Sequence, residues 1–169
     1  MSNEKSNFYL YNTVIKVKRH VYAPYLSSIK VLKAKQIEQL EECYKKQYEN
    51  DEELANLVKH IDNAFKRDSQ CNAFIGGEVI SGALRQAGYS NAIVRGVINI
   101  PPKSTSIETR VVTVKEKITT INAEYIEPNT EIQTKLLINI PDLKTIQLYI
   151  GSRRAKGYGL IEASFTLLK

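Results

Sequence analysis

The chain has 169 residues, 43% of them hydrophobic and 25% charged, and its 24 basic and 18 acidic side chains leave a net charge of +6. That length suits one domain with its own core, and the composition is that of a globular protein rather than a disordered one. No apolar run reaches the length of a bilayer span, and the opening residues MSNEKSNFYLYN are too polar for a secretory signal, so a cytoplasmic protein is expected.

The basic excess lies at the two ends. Residues 1–24 hold four cations against one anion and residues 141–169 five against two; residues 25–68 hold eight against nine and residues 69–140 seven against six. If the ends meet in the fold they form one positive patch suited to a polyanion. Cys43 and Cys71 lack the spacing of a metal site or a disulfide framework and read as two independent thiols.

In chain order, FYLYNTVIKVKRHVYA alternates. Ile15, Val17 and Val21 share one face and Val14, Lys16, Lys18, His20 and Tyr22 the other, which predicts a long strand with a core side and a basic side. Pro24, Ser27 and Ser28 end it. The period then becomes helical, with Ile37, Leu40 and Tyr44 before the polar break ENDEE and Leu54, Leu57, Val58 and Ile61 after it. A helical insert over residues 27–66 is expected. In the loop that follows, Asp68 is expected to form a turn or pair with Arg67.

The stretch GGEVISGALRQAGY predicts a short helix that turns Val79, Ala83 and Leu84 to a sheet, with Gly88 as its stop. Residues 92–140 read as strands broken at Pro101-Pro102 and Glu127-Pro128-Asn129. In PDLKTIQLYIG, Leu143, Ile146 and Ile150 form a stripe that predicts a second helix, and LIEASFTLL predicts a last strand. Setting the insert aside leaves β-α-β-β-α-β. The expected fold is therefore α+β, a single ferredoxin-like (RRM-like) domain over 1–169, with the insert after its first strand and a glycine-rich loop near its C-terminus. That topology makes the first and last strands neighbours, so the basic ends meet, and its four-stranded sheet is a common RNA platform.

The loop before the last strand is IGSRRAKGYG. Gly151, Gly157 and Gly159 let the backbone turn with positive φ and approach another molecule closely. Ser152, Arg153, Arg154 and Lys156 lie between them, and successive backbone N–H groups beside cations make a concavity for an anion such as phosphate.

Three segments resemble the RAMP (repeat-associated mysterious protein) superfamily, and specifically the backbone subunit of type III CRISPR–Cas effector complexes. IDNAFKRDSQCNAFIGGEVISGALR, residues 61–85, is similar to that family's Asp-containing loop and helix start. IETRVVTVKEKITTINAEYIEPNTEIQTKLLI, residues 107–138, is similar to its Arg-headed and Glu-containing strands. The loop at 151–159 resembles its Gly-x-Arg-x-x-Gly-x-Gly element. The resemblance implies a subunit that assembles along CRISPR RNA, pairs with copies or other Cas subunits, and meets target RNA. The residues expected on RNA are Lys16, Lys18 and His20 of the basic strand, Gly76, Gly77, Ser81 and Arg85 of the helix start, and Gly151, Ser152, Arg153, Arg154, Lys156 and Gly157 of the loop, with Arg110 a further candidate.

In that family the loop aspartate cleaves target RNA through the ribose 2′-hydroxyl with a divalent metal; the matching residue is Asp62, and Mg²⁺ is expected only if it is catalytic. Residues 95–108 look short for the family's projecting hairpin. Two alternatives stand beside target cleavage. One is a non-catalytic architectural subunit in which 27–66 docks another subunit and Asp62 caps or terminates the helical insert. The other is a metal-independent endoribonuclease using His20.

Overall fold

Alternation of apolar residues sets the centre of the fold. In the computed structural model, which describes residues 7–48 and 51–168, β1 (Tyr9–Val17) buries Tyr11, Thr13, Ile15 and Val17 and turns Asn12, Val14 and Lys16 the other way. Residues 1–6, residues 49 and 50 of the ENDEE break, and residue 169 lie outside the described residues. The predicted long strand is interrupted: a bend at 18–20 separates β1 from β2 (Val21–Tyr22). Tyr22, expected on the basic face, is buried, because after the bend β2 pairs with a different sheet.

The insert forms as two helices, α1 (Lys30–Gln47) and α2 (Glu52–Lys59). Asp51 caps α2 by accepting from the Leu54 amide at 3.0 Å. Leu40 and Tyr44 of α1 pack with Val58, Ile61 and Ala64 into a small second core, against which Ile37, Leu54 and Ile107 lean. The chain then enters β3 (Lys66–Arg67) and β4 (Ala73–Gly76), joined by a turn in which Asp68 Oδ1 accepts from the amides of Gln70 and Asn72, each at 2.9 Å. Asp68 is thus a turn former, and Arg67 pairs elsewhere.

The expected short helix is α3 (Gly77–Gln86), burying Ile80, Ala83 and Leu84. Gly96, at φ +135°, splits the next strand into β5 (Val94–Arg95) and β6 (Val97–Asn99). A long hairpin follows, β7 (Thr105–Val114) and β8 (Lys117–Ile126), closed by Lys115 and Glu116, both with positive φ. Such a two-residue turn matches the twist of its strands. This hairpin starts inside 95–108 and runs well beyond it. Its outer half stands in solvent, with Val111 70% and Ile118 77% exposed.

β9 (Glu131–Ile138), β10 (Thr145–Tyr149) and β11 (Leu160–Leu168) complete the main sheet, ordered β10-β11-β1-β9-β5. β1 pairs antiparallel with β11 and β9, so the first and last strands are neighbours. One correction changes the topology: residues 145–149 are a strand, not the predicted second helix. Ile146, Leu148 and Ile150 also recur with period two, and β-branched Thr145 and Ile146 with Tyr149 favour a pleated edge over a helix. Among the described residues the fold is a mixed α+β arrangement of mostly antiparallel sheets with three α-helices, and a strand stands where the second crossover helix of β-α-β-β-α-β was expected.

The cysteines are not independent thiols. Cys43 of α1 and Cys71 of the β3–β4 turn are disulfide-bonded, with Cα atoms 5.2 Å apart. The sequence separation of 28 concealed a proximity created by the insert folding back on the sheet.

Candidate nucleic-acid interface

The glycine loop takes its shape from contact with residues 19–22. Gly151, at φ +86°, has the Tyr22 carbonyl where a Cβ would sit, and a Cβ on Gly159, at φ +85°, would collide with the Ile150 carbonyl. Those two glycines are required by close approach as well as by their dihedrals. The Ser152 amide donates to the Tyr22 carbonyl at 3.1 Å, the Gly159 amide to the His20 carbonyl at 2.8 Å, and Arg19 Nη1 to the Gly157 carbonyl at 3.1 Å. Ser152 Oγ donates to the Ala23 carbonyl at 3.1 Å. Between Arg153 and Gly157, both left-handed, residues 154–156 form one 3-10 turn that turns Arg154 and Lys156 outward.

These contacts gather cations from separate segments. Lys18 and Arg19 are exposed beside the loop, Arg154 and Lys156 are exposed on it, and Arg154 Nη1 reaches Gln86 Oε1 at the end of α3 at 3.4 Å. Arg153 turns inward instead. Its guanidinium carbon lies 4.6 Å from the Tyr158 ring centroid and 5.1 Å from that of Tyr22. His20 packs at 4.4 Å on Tyr125 and stacks on Tyr22 at 5.9 Å. The aromatic side chains near the basic segments are therefore collected at this corner. The uncovered face of the main sheet presents Asn12, Val14 and Lys16 from β1 and Glu162, Ser164 and Thr166 from β11, so its centre lacks an RRM-like stacking platform.

The predicted RNA-binding residues divide. His20, Gly151, Ser152, Arg153, Arg154, Lys156 and Gly157 are brought together, with Lys18 adjoining. Lys16 lies on the uncovered sheet face between Glu131 and Glu162, its cross-strand partners. Gly76 and Gly77 open α3, where a Cβ on Gly77 would stand 2.9 Å from the Val94 carbonyl. Ser81 is buried and its hydroxyl accepts from the Val94 amide at 2.8 Å, while Arg85 Nε donates to the Ala92 carbonyl at 3.0 Å. In this structure these last groups join α3 to the strand beside it.

Asp62 lies beside β8 at Asn122, on the side where β2 pairs only with Tyr125 and Ile126. Its amide donates to the Asn122 carbonyl at 2.8 Å, its Oδ2 accepts from the Asn122 amide at 2.9 Å, and its Oδ1 faces Lys33 Nζ at 3.8 Å. It follows the end of α2, near the close of the insert, and its side chain accepts from the β8 backbone. Its donor set does not fit a protein-held metal ion. The carboxylate is single, one oxygen is engaged by an amide and the other faces an ammonium, and no group of three or more metal-ligating side chains occurs among the described residues.

Sequence reasoning missed Arg19, Glu108 and Tyr125 at the corner and Glu124 beneath it. Glu108 and Arg110 alternate on one strand face, a signal present in the sequence; Tyr125 becomes part of the corner only through the β2–β8 pairing. The Tyr22 hydroxyl donates to Glu108 Oε2 at 2.9 Å, and its pKa is pushed up to about 12 by burial, with the Glu108 hydrogen bond and charge adding to it. Tyr44 is raised further, by burial and then by the charge of Glu124. Above pH 10 the unfolded chain releases these protons while the folded chain retains them, so stability falls between pH 10 and 12. Denaturation followed across that window is expected to show a shallower decline in Tyr22→Phe than in the unsubstituted chain.

Comparisons with known proteins bear on the fold. No family model and no curated protein matches this sequence. Among solved structures, a chain of the cryo-EM structure of the Type III-B Cmr-beta bound to cognate target RNA is similar, with a TM-score of 0.55 at 12% identity. The likeness covers 96% of this chain but 61% of that one, so the protein spans less than two thirds of its structural neighbour. At that identity the likeness is one of fold.

Proposed function

We propose that this chain is an RNA-binding subunit of RAMP architecture that holds the backbone of a CRISPR RNA in a type III effector complex, beside target RNA and other Cas subunits or copies of itself, in an architectural role. The observation that carries the reading is the convergence of Lys18, Arg19, Arg154 and Lys156 on one corner through the clasp between the glycine loop and residues 19–22. Exposed cations on a rigid turn suit phosphodiester contacts, which fix register without reading sequence. The structural likeness to a chain of an RNA-bound complex supports the fold half of the proposal.

The architectural role is supported by Asp62, whose Oδ2 is engaged by the Asn122 amide of β8. Target cleavage is the second reading, favoured by Oδ1, which has only the distant Lys33 as partner. Reconstituted with guide and complementary RNA, the complex is expected to bind both and leave the target intact; regularly spaced products abolished by Asp62→Ala would establish the second reading. The binding itself is tested by salt dependence. For a single-stranded RNA, the Arg154→Ala/Lys156→Ala variant is expected to weaken binding and to lower the log–log salt slope by about 1.4, the share of two phosphate contacts at about 0.7 each. An unchanged slope would remove the loop from the interface.

A further inference from the structure

Between Arg110 and Arg153 sits a single acid. Glu108 Oε1 is 3.6 Å from Arg110 Nε and 3.9 Å from Arg153 Nη1, both beyond hydrogen-bond length, and Arg110 Nε is buried with no hydrogen-bond partner. The carboxylate's hydrogen bond is to the Tyr22 hydroxyl, from its other oxygen. Two guanidiniums are thus held over the Tyr22 ring, at 5.6 and 5.1 Å, by ring contact and by a carboxylate that satisfies neither fork. All three charged side chains reach solvent, at 18%, 24% and 29% exposure. Two cations against one anion leave the cluster with an excess positive charge.

We propose that Glu108 occupies the place of a nucleotide phosphate between Arg110 and Arg153, and that RNA engages this corner by displacing its carboxylate. This rests on the RNA-binding reading and adds to it a second phosphate site, inside the aromatic corner, with its own competitor. A phosphate offers more acceptor oxygens than a carboxylate and meets a guanidinium fork through two parallel bonds. Arg153 and Arg110 belong to different segments, so a phosphate bridging them joins the glycine loop to the base of the hairpin. The Tyr22 hydroxyl, kept protonated by burial, remains a donor to whichever anion is present.

The test compares the unsubstituted chain with Glu108→Gln, which keeps an acceptor for Tyr22 and removes the charge; Glu108→Ser repeats it without the amide. Single-stranded RNA is titrated by fluorescence anisotropy and adenosine 5′-monophosphate by NMR. Expected are a gain in affinity of about threefold or more for both probes, and its loss when Arg110→Ala or Arg153→Ala is added. Unchanged or weaker binding of both probes by both Glu108 variants, at unaltered melting temperature, overturns the proposal, as does a gain that survives removal of both arginines. A gain for the mononucleotide with no RNA binding by any variant supports the phosphate site and rejects the RNA-binding reading. A gain for RNA alone places Glu108 against a chain phosphodiester rather than a terminal phosphate, and still supports the displacement.

Discussion

Glu124→Ala is expected to lower the unfolding free energy by about 3–5 kcal/mol. Glu124 is wholly buried in β8 and accepts from five donors. Arg67 Nη1 and the Phe65 amide reach Oε1 at 3.0 and 2.9 Å; Arg67 Nη2, the Tyr44 hydroxyl and Thr105 Oγ1 reach Oε2 at 2.5, 2.6 and 3.0 Å. Truncation leaves the Arg67 guanidinium charged, buried and without its counterion, because pairing with Glu124 holds the Arg67 pKa up against burial. The same residue joins four segments: α1 through Tyr44, the 65–67 strand entry, β7 through Thr105, and β8 itself. Urea denaturation of Glu124→Ala measures the loss. The double variant Arg67→Met/Glu124→Leu removes both charges at similar volume and is expected to recover much of it. A double variant as unstable as Glu124→Ala would locate the penalty in the remaining donors rather than in the orphaned arginine.

The sequence made this network hard to see, and the reason is physical. Period-two alternation at Ile15, Val17, Ile161 and Ala163 made β1 and β11 legible, because one face of each is buried. Helical spacing at Leu40, Tyr44, Val58 and Ile61 made the insert legible for the same reason. Residues 143–150 failed because Leu143, Ile146 and Ile150 satisfy a helical period while Ile146, Leu148 and Ile150 satisfy period two, and an edge position beside β11 decides between them. The site was partly legible. Glycines and cations announced the 151–159 loop, but what they face depends on the bend at 18–20 and on β2 pairing with β8, which no local pattern encodes. Arg153 illustrates the difference: it was counted with the outward cations, and ring contacts turn it inward. Arg67 and Glu124 are 57 residues apart, so their partnership exists only once the sheets have formed.

Loss of the Cys43–Cys71 bond is expected to cost about 3–4 kcal/mol, because the crosslink closes a loop whose ends are 28 residues apart and removes that freedom from the unfolded chain. The loop closed by the bond includes the end of α1, α2 and the Asp62 segment, so it restrains much of the unit whose small core must close over Arg67 and Glu124. Gln47 Nε2 donates to the Cys71 carbonyl at 3.0 Å, a second tie between the same two elements that survives reduction. Both cysteines are buried, so reductant acts as the insert opens rather than on the closed protein. Calorimetry of Cys43→Ser is expected to show a melting temperature lower by about 10 °C, the fall that such a loss produces in a domain of this size. Reductant should bring the unsubstituted chain to the same value and leave Cys43→Ser unmoved. The glycine loop joins β10 to β11 of the main sheet and is clasped to His20, Tyr22 and Ala23, and none of these residues, nor Arg110 or Arg153, lies in the loop that the disulfide closes. RNA affinity at 25 °C is therefore expected to be unchanged by the variant; a parallel loss of affinity would mean that the insert, and not the loop alone, holds the RNA.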